Sequence, residues 1–505
     1  MKYQNGQKLH QVTKFFRLKL IFKIDFKKRI SYYRKMNENI EANIEANIEP
    51  NFIEMQLNNN ADNILNYIYE HAFEEIYQCG LEILYMHIDN NPLDIAEENF
   101  ENIIKDSAGA MLGIHIQTLF EETLGKESLS IASDTMIDYC MKEFYTTLYP
   151  RRSYFKSHIR KVVNKNSIEK KMHIIDNMFQ PEQRTKEWYE YRHNLITASS
   201  AGKVFETKSS QNQLIFEKCK PMQDRENMFV NTNSPLHWGQ KYEPVSTSLY
   251  EYLYNTTIKD YGCLQHPVYK FLGASPDGIN VDKNNKRYGR MLEIKNIVNR
   301  EINGNPKKIY WIQMQLQMEV CNLNECDFLE CRFKEYESEE EFREDGTFNY
   351  NNNDKMKGII LHFEKDGKPV YEYMPINCSE QDYLVWKEEK MKSELTFIKT
   401  IYWRLEQYSC VLVLRNKLWF AEAIKHIEST WNTIVYEKEN GYEHRAPKKK
   451  KPVEVKCLID LDENEELKND DEINNYSAPS ETPIIFKIRT KSIDETKKEE
   501  DGSLS

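Results

Sequence analysis

The chain has 505 residues, 40% hydrophobic and 12% aromatic, with a formal net charge of -11 at pH 7, which leaves room for two or more cored domains and excludes a chain disordered throughout. No stretch approaches the roughly 18 uninterrupted apolar residues of a membrane helix; the nearest, "FFRLKLIFKIDF", is broken by Arg, Lys and Asp. Ten cysteines without dense regular spacing predict reduced thiols in a soluble intracellular protein without structural disulfides.

In chain order, residues 1–50 hold a strongly basic Met1–Lys35 followed by the short repeat "NIEANIEANIEP". Either this is a basic arm or translation begins at Met36, and disorder is expected in both cases. Over 51–150 the apolar spacing of "ILNYIYEHAFEEIYQCGLEILYMHI" and "DTMIDYCMKEFYTTLY" is helical, which predicts a small helical domain. Residues 151–179 are a basic linker, either solvated or facing DNA. Residues 180–446 form a further domain, with helices through "TKEWYEYRHNLI" and "HWGQKYEPVSTSLYEYLY" separated by a polar insert from Glu206 to Ser234. Strand-like "YGCLQHPVY", "KFLGASPDGI" and "GRMLEIKN" precede the helix "KIYWIQMQLQMEVCNL" and the strand "ECDFLECRFKEYE". A loop around Ser338 to Asp354, a hairpin of "GIILHFE" and "PVYEYMPI", and helices covering the sheet from "EQDYLVWKEEK" to "WNTIVYE" complete it. This order is α/β in the α+β sense and not a barrel. Residues 447–505 read as a charged disordered tail, in which "KKKK" at Lys448–Lys451 suits an import signal, a DNA-contact tail or a solvated linker.

The acidic balance argues against a nucleic-acid partner only on average, because acid is concentrated in "DLDENEELKNDDE" and base in "RRSYFKSHIRKVVNKNSIEKK". The chemistry lies in "GASPDGINVDKNNKRYGRMLEIKN", Gly273 to Asn296. On a strand Glu293 and Lys295 share one face while Ile294 turns to the core. If Asp277 lies across a hairpin from Glu293, the two carboxylates repel unless a cation sits between them. Oxygen ligands of this kind select Mg²⁺ or Mn²⁺ and suit metal-assisted phosphodiester hydrolysis, with the lysine orienting a water. Alone, the pattern is more often an Asp-Gly turn beside a solvated strand. Its neighbours change that balance. Glu243 sits on a helix where it would complete an acidic pocket, Arg192 and Ser199 would form a phosphate pocket, and Gln313 and Gln317 share a helical face with Tyr310, with Met314 and Met318 turned to the core.

In this order, Trp188 with Arg192, "ITAS" ending at Ser199, Gly239 with Glu243, "SPDG" through Gly278, "LEIK" through Lys295 and "QMQLQM" from Gln313 resemble the YqaJ-type viral recombinase and lambda exonuclease family of the PD-(D/E)XK nuclease superfamily. The resemblance covers about Thr185 to Arg332, and the long layout is similar to the forms carried by large eukaryotic DNA viruses. It implies a restriction-endonuclease-like mixed sheet flanked by helices, to which the helical N-terminal domain read from the apolar spacing is an addition without counterpart in the compact members, and a metal-dependent exonuclease digesting linear double-stranded DNA from its 5′ end. By that likeness Asp277, Glu293 and the carbonyl of Ile294 bind Mg²⁺, with Mn²⁺ able to substitute, and Glu243 completes or supports the metal site. Lys295 positions the attacking water, Gln313 helps orient it, and Arg192 with Ser199 holds the terminal phosphate. It further implies partners in DNA ends and a single-strand annealing protein, compatibility with a homo-oligomer, no membrane, and a role in recombination, repair or viral genome processing in the nucleus or cytoplasm of an infected cell. Two other readings stay open: an iron–sulfur nuclease using Cys321, Cys326 and Cys331, and a DNA-binding platform that keeps the fold without catalysis.

Overall fold

Leu81, Leu84 and Ile88 recur at three- and four-residue steps and bury one stripe of helix α1 (Phe73–Asn90). With α2 (Phe100–Leu119) and α3 (Lys126–Glu143) it packs around Ile104, Leu112 and Ile137, as the helical spacing of this region predicts. The structure is a computed structural model describing residues 72–119, 126–145, 149–155, 164–183, 185–222 and 231–447, all within the first of the chain's two units, Met1–Pro447. The expectations for residues 1–50, for the Lys448–Lys451 run and for the tail fall outside the described residues. Among the described residues, no helix is long and apolar enough to cross a membrane.

The described part of the basic connector is docked on its neighbours. Arg152 is buried, and its guanidinium donates to the carbonyls of Ile95 at 2.9 Å, Ala96 at 3.1 Å and Pro306 at 2.9 Å. Tyr154 and Leu412 exchange backbone hydrogen bonds of 2.9 and 3.0 Å. Helix α4 (Lys165–Asp176) buries Ile168, Met172 and Ile175, an apolar stripe that the basic composition conceals.

Next come α5 (Lys186–His193), β1 (Ile196–Thr197), the single turn α6 (Ala198–Ala201), α7 (Lys208–Cys219) and α8 (Pro235–Tyr254). Strands β2 (Ile258–Lys259), β3 (Leu264–Gln265), β4 (Leu272–Ala274), β5 (Gly278–Asn280) and β6 (Met291–Asn296) lead to α9 (Lys308–Cys321) and β7 (Glu325–Glu335). The chain then forms α10 (Glu339–Glu344), β8 (Lys357–Lys365), β9 (Lys368–Tyr373), α11 (Glu380–Lys390), β10 (Thr396–Leu414) and α12 (Lys417–Asn440). A seven-stranded sheet has the order β2-β5-β6-β7-β10-β8-β9, and β1-β4-β3 form a small second sheet. β6 and β7 run parallel through the crossover α9, while the other neighbours in the large sheet are antiparallel. The expected mixed sheet flanked by helices is therefore the architecture found.

Three local expectations are corrected. The polar insert contains α7, which buries Leu214, Ile215 and Cys219 and starts at Thr207, whose hydroxyl accepts the Ser210 N–H. The loop after Ser338 opens with α10, capped by Ser338. Between α11 and α12 the chain forms no helix: the 19-residue β10 lies between β7 and β8, where a strand loses the half-buried alternation that marks it in sequence.

Alternation along β6 sets up the site. Met291 joins the core cluster that includes α9, while Leu292 and Ile294 join Tyr242, Val245 and Leu249 of α8 in a second cluster. Every residue of α9 from Trp311 to Cys321 is buried, so its polar side chains need internal partners. Gln315, for one, donates to the Leu414 carbonyl at 2.9 Å and accepts the Asn416 N–H at 2.6 Å.

Candidate active site

Gly278 pairs with Leu292 across the β5–β6 ladder, which places Asp277 opposite Glu293. A Cβ at Gly278 would collide with Ile258 of β2, so only glycine can follow Asp277 in this turn. The Asp277 carboxylate accepts the Ile294 N–H at 2.7 Å. Glu293 is fully buried and held from two sides: Lys295 forms an ion pair with its Oε1, and Gln317 Nε2 donates to its Oε2 at 2.7 Å. Burial, reinforced by the Glu293 charge, holds the Asp277 carboxyl well above the usual carboxylate range, against the pull of Lys295, and Glu243 adds to the rise. Burial lowers Lys295, but Glu293 and Asp277 more than reverse it and its pKa is raised, so the ammonium stays charged. Its Nζ lies 5.0 Å from the Tyr310 ring centroid, and Arg300 lies 5.3 Å from the same ring.

A second group is built by the small sheet. Parallel pairing of Thr197 with Gly273 brings the Ser199 turn beside Ser275. Arg192, at the end of α5, forks between them: Nη1 donates to Ser275 Oγ at 3.0 Å and Nη2 to Ser199 Oγ at 3.1 Å. Its guanidinium lies 4.3 Å from the Trp188 ring centroid. Ser199 itself is exposed, so the fork can exchange these hydroxyls for the oxygens of an anion. Ser275 joins the two groups, because its carbonyl accepts Gln317 Nε2 at 3.3 Å while its hydroxyl accepts Arg192.

Of the residues singled out from sequence, Asp277, Glu293, Ile294 and Lys295 come together, as do Arg192 and Ser199. Gln313 is buried one turn before Gln317, and it is Gln317 that bonds Glu293. Glu243 rises from α8, which packs on the Leu292 and Ile294 face of β6, opposite the side Glu293 and Lys295 share. It reaches Asp277 through its charge, and among the described residues no three His, Cys, Asp or Glu side chains gather as a metal cage. Ser275 was passed over in sequence although it stands in the same "SPDG". Cys321, Cys326 and Cys331 are buried, Cys321 and Cys326 in one core cluster and Cys331 in the other, which is no geometry for a shared cluster.

The donor set fits a hard divalent cation. The Glu293 charge raises the proton affinity of Asp277, Lys295 acts as counter-ion to Glu293, and the buried Gln317 Oε1 has no partner among the described residues. Mg²⁺ commonly takes one or two carboxylates and leaves its remaining positions to water and substrate phosphate, and Asp277, Glu293 and the Ile294 carbonyl are the residues that would hold it.

Residues 187–324 match the model of the YqaJ-like viral recombinase domain, and this range encloses both groups just described. The chain is 31% identical over 333 residues to the uncharacterized protein R354 of Acanthamoeba polyphaga mimivirus. That alignment covers 58% of each, so the chain spans less than two thirds of the length of the curated relative it matches. Among solved structures it is similar to the alkaline exonuclease LHK-Exo from Laribacter hongkongensis, alone and in complex with dAMP. Each shows 20% identity and a TM-score of 0.30, covering 51% of this chain and 95% of the other.

Proposed function

We propose that this chain is a nuclease, and more narrowly a Mg²⁺-dependent deoxyribonuclease that digests linear duplex DNA from 5′ ends. The observation that carries the reading is Ser275, which ties an anion fork, Arg192 with Ser199, to a carboxylate pair with its own lysine. A site that must both seat a terminal phosphate and cut the next bond needs these two groups in fixed register. Asp277, Glu293 and the Ile294 carbonyl would hold Mg²⁺, with Mn²⁺ as substitute. The bound ion would polarise the scissile phosphate and acidify a water. Arg192 and Ser199 bind the terminal phosphate; Lys295, cationic, donates hydrogen bonds that position the attacking water; Gln313 flanks it, and Glu243 adds negative charge at the rim. The inferred biology is resection by a virus-encoded protein: one strand is removed, and the exposed strand is passed to an annealing protein.

Digestion of linear duplex carrying a 5′ phosphate, beside 5′-hydroxyl and closed-circular DNA, tests the proposal. EDTA and Lys295→Ala should each lower cleavage by about 10²-fold or more, and Arg192→Ala should abolish a preference for 5′-phosphate ends. Cleavage of closed circles would make the chain an endonuclease. No Mg²⁺-dependent cleavage of any substrate would leave a DNA-binding platform.

A further inference from the structure

Helix α7 brings Lys218 to the C-terminal end of α5, where its Nζ donates to the Arg192 carbonyl at 2.7 Å. The last carbonyls of a helix have no intrahelical donor, and a cation there meets the negative end of the helix dipole. Lys218 thus fixes the backbone of the residue whose side chain grips Ser199 and Ser275, while its charge lies against that of Arg192. Little compensates the pair. From its own helix Glu217 faces it, but Glu217 is bridged to Lys203 at 2.9 Å; the remaining neighbours are Arg192 and His193 of α5, the Cys263 thiol and Lys203 itself, with Lys220 and, from α12, Lys438 beyond His193. Holding two like charges together is unfavourable in the empty protein and becomes favourable when a multiply charged anion is seated.

We infer that Lys218 is a positioning residue that makes the Arg192 and Ser199 clamp selective for a doubly charged phosphomonoester, the terminal phosphate, over the singly charged diester of an internal linkage or an end that lacks phosphate. The inference rests on the reading of that clamp as the seat of a DNA end. A phosphomonoester carries close to two charges above about pH 6.5, its second pKa lying near 6. Burial and then the Arg192 charge push the Lys218 ammonium down to about 8. Lowered in this way, it is charged below that value and neutral above it, whereas a seated dianion keeps the proton on. Selectivity for phosphorylated ends therefore weakens as pH rises through about 8.

The experiment is steady-state digestion of short linear duplexes with 5′-phosphate or 5′-hydroxyl ends, at pH values spanning about 6.5 to 9.5, by the full chain as wild type, Lys218→Met and Lys218→Arg. Wild type should prefer phosphorylated ends at low pH and lose part of that preference through about pH 8. Lys218→Met should raise KM for phosphorylated ends about tenfold, the size of one charge-assisted contact. Its kcat and its action on hydroxyl ends should be unchanged and its preference flat with pH. Lys218→Arg should restore the preference and hold it to the top of the range. A methionine variant that keeps the wild-type preference and its pH profile overturns the inference. So does one that loses both substrates equally without rescue by arginine, because that marks a merely structural role. A wild type without any 5′-phosphate preference removes the clamp reading itself, and the Lys218 role with it.

Discussion

Gln317 makes one 2.7 Å hydrogen bond to Glu293 while its own Oε1 stands buried without a partner. Groups that hold a metal-binding carboxylate in place commonly change activity by about 10–100-fold when removed. Gln317→Leu, close in volume, should lower cleavage by about that factor and raise the Mg²⁺ concentration needed for half activity, with far-ultraviolet circular dichroism unchanged; activity within twofold of wild type would remove Gln317 from the site. His266 offers a stability test. Its Nδ1 accepts the Val268 and Tyr269 N–H groups at 3.0 Å each, and burial, aided by Arg415 and Lys270, pushes it down to about 4. A folded pKa below the ordinary 6.5 contributes stability that is complete above about 6.5 and is lost as pH falls toward 4. His266→Asn retains an acceptor but no titration, so urea unfolding of the variant should show a flatter acid limb; an identical pH profile would contradict the assignment. The neighbourhood of Asp277, Glu293 and Lys295 is legible in sequence because a hairpin and strand alternation alone create it. Ser275 is not legible, nor is the bond from Gln317 to Glu293 although the helical spacing singles that glutamine out, because these contacts depend on β1 meeting β4 and on the rotation of α9, which no local spacing encodes.

At the scale of elements, the strands that keep a face on the core or close a tight turn are readable, and β10 is not. Its register shifts between Leu405 and Gln407 against β7 and again between Phe397 and Lys399 against β8, so no single alternation runs through its 19 residues. Its charged residues then read as one side of a helix. The β8 partner of Trp403 is Gly358, where a Cβ would collide with the indole ring. Gly358→Ala should therefore destabilise by about 1–3 kcal/mol through overpacking, seen as a lower urea midpoint with an unchanged slope; an equal midpoint would show that the indole can move aside. Helix α7 is hidden for another reason: Leu214 and Ile215 are a small apolar signal within a polar run, and only the Thr207 cap marks its start.

Across the whole molecule, Arg152 fastens the helical N-terminal region to the rest of the unit. Three carbonyls, of Ile95, Ala96 and Pro306, depend on its guanidinium. Arg152→Met should cost about 2–4 kcal/mol by leaving them buried and unpaired, and amide exchange in α1 and α2 should accelerate before that of β6 and β7; uniform exchange across both regions would argue against a local fastening. This docking is unreadable from composition, since a basic run between two regions looks like a solvated tether. The position of β10 in the sheet also bears on how the protein is made. Strand β7 is complete at Glu335, but the strand that covers its outer edge begins at Thr396, so the sixty residues 336–395 must be synthesised in between. At about 5–20 residues per second that takes roughly 3–12 s. Throughout this interval the newborn sheet ends in an unpaired row of amides and carbonyls along β7, open to any other extended chain. Among the described residues, the last strand to leave the ribosome is the one that seals the middle, so a polypeptide stalled before residue 396 holds the complete carboxylate strand yet stays an open template for aggregation.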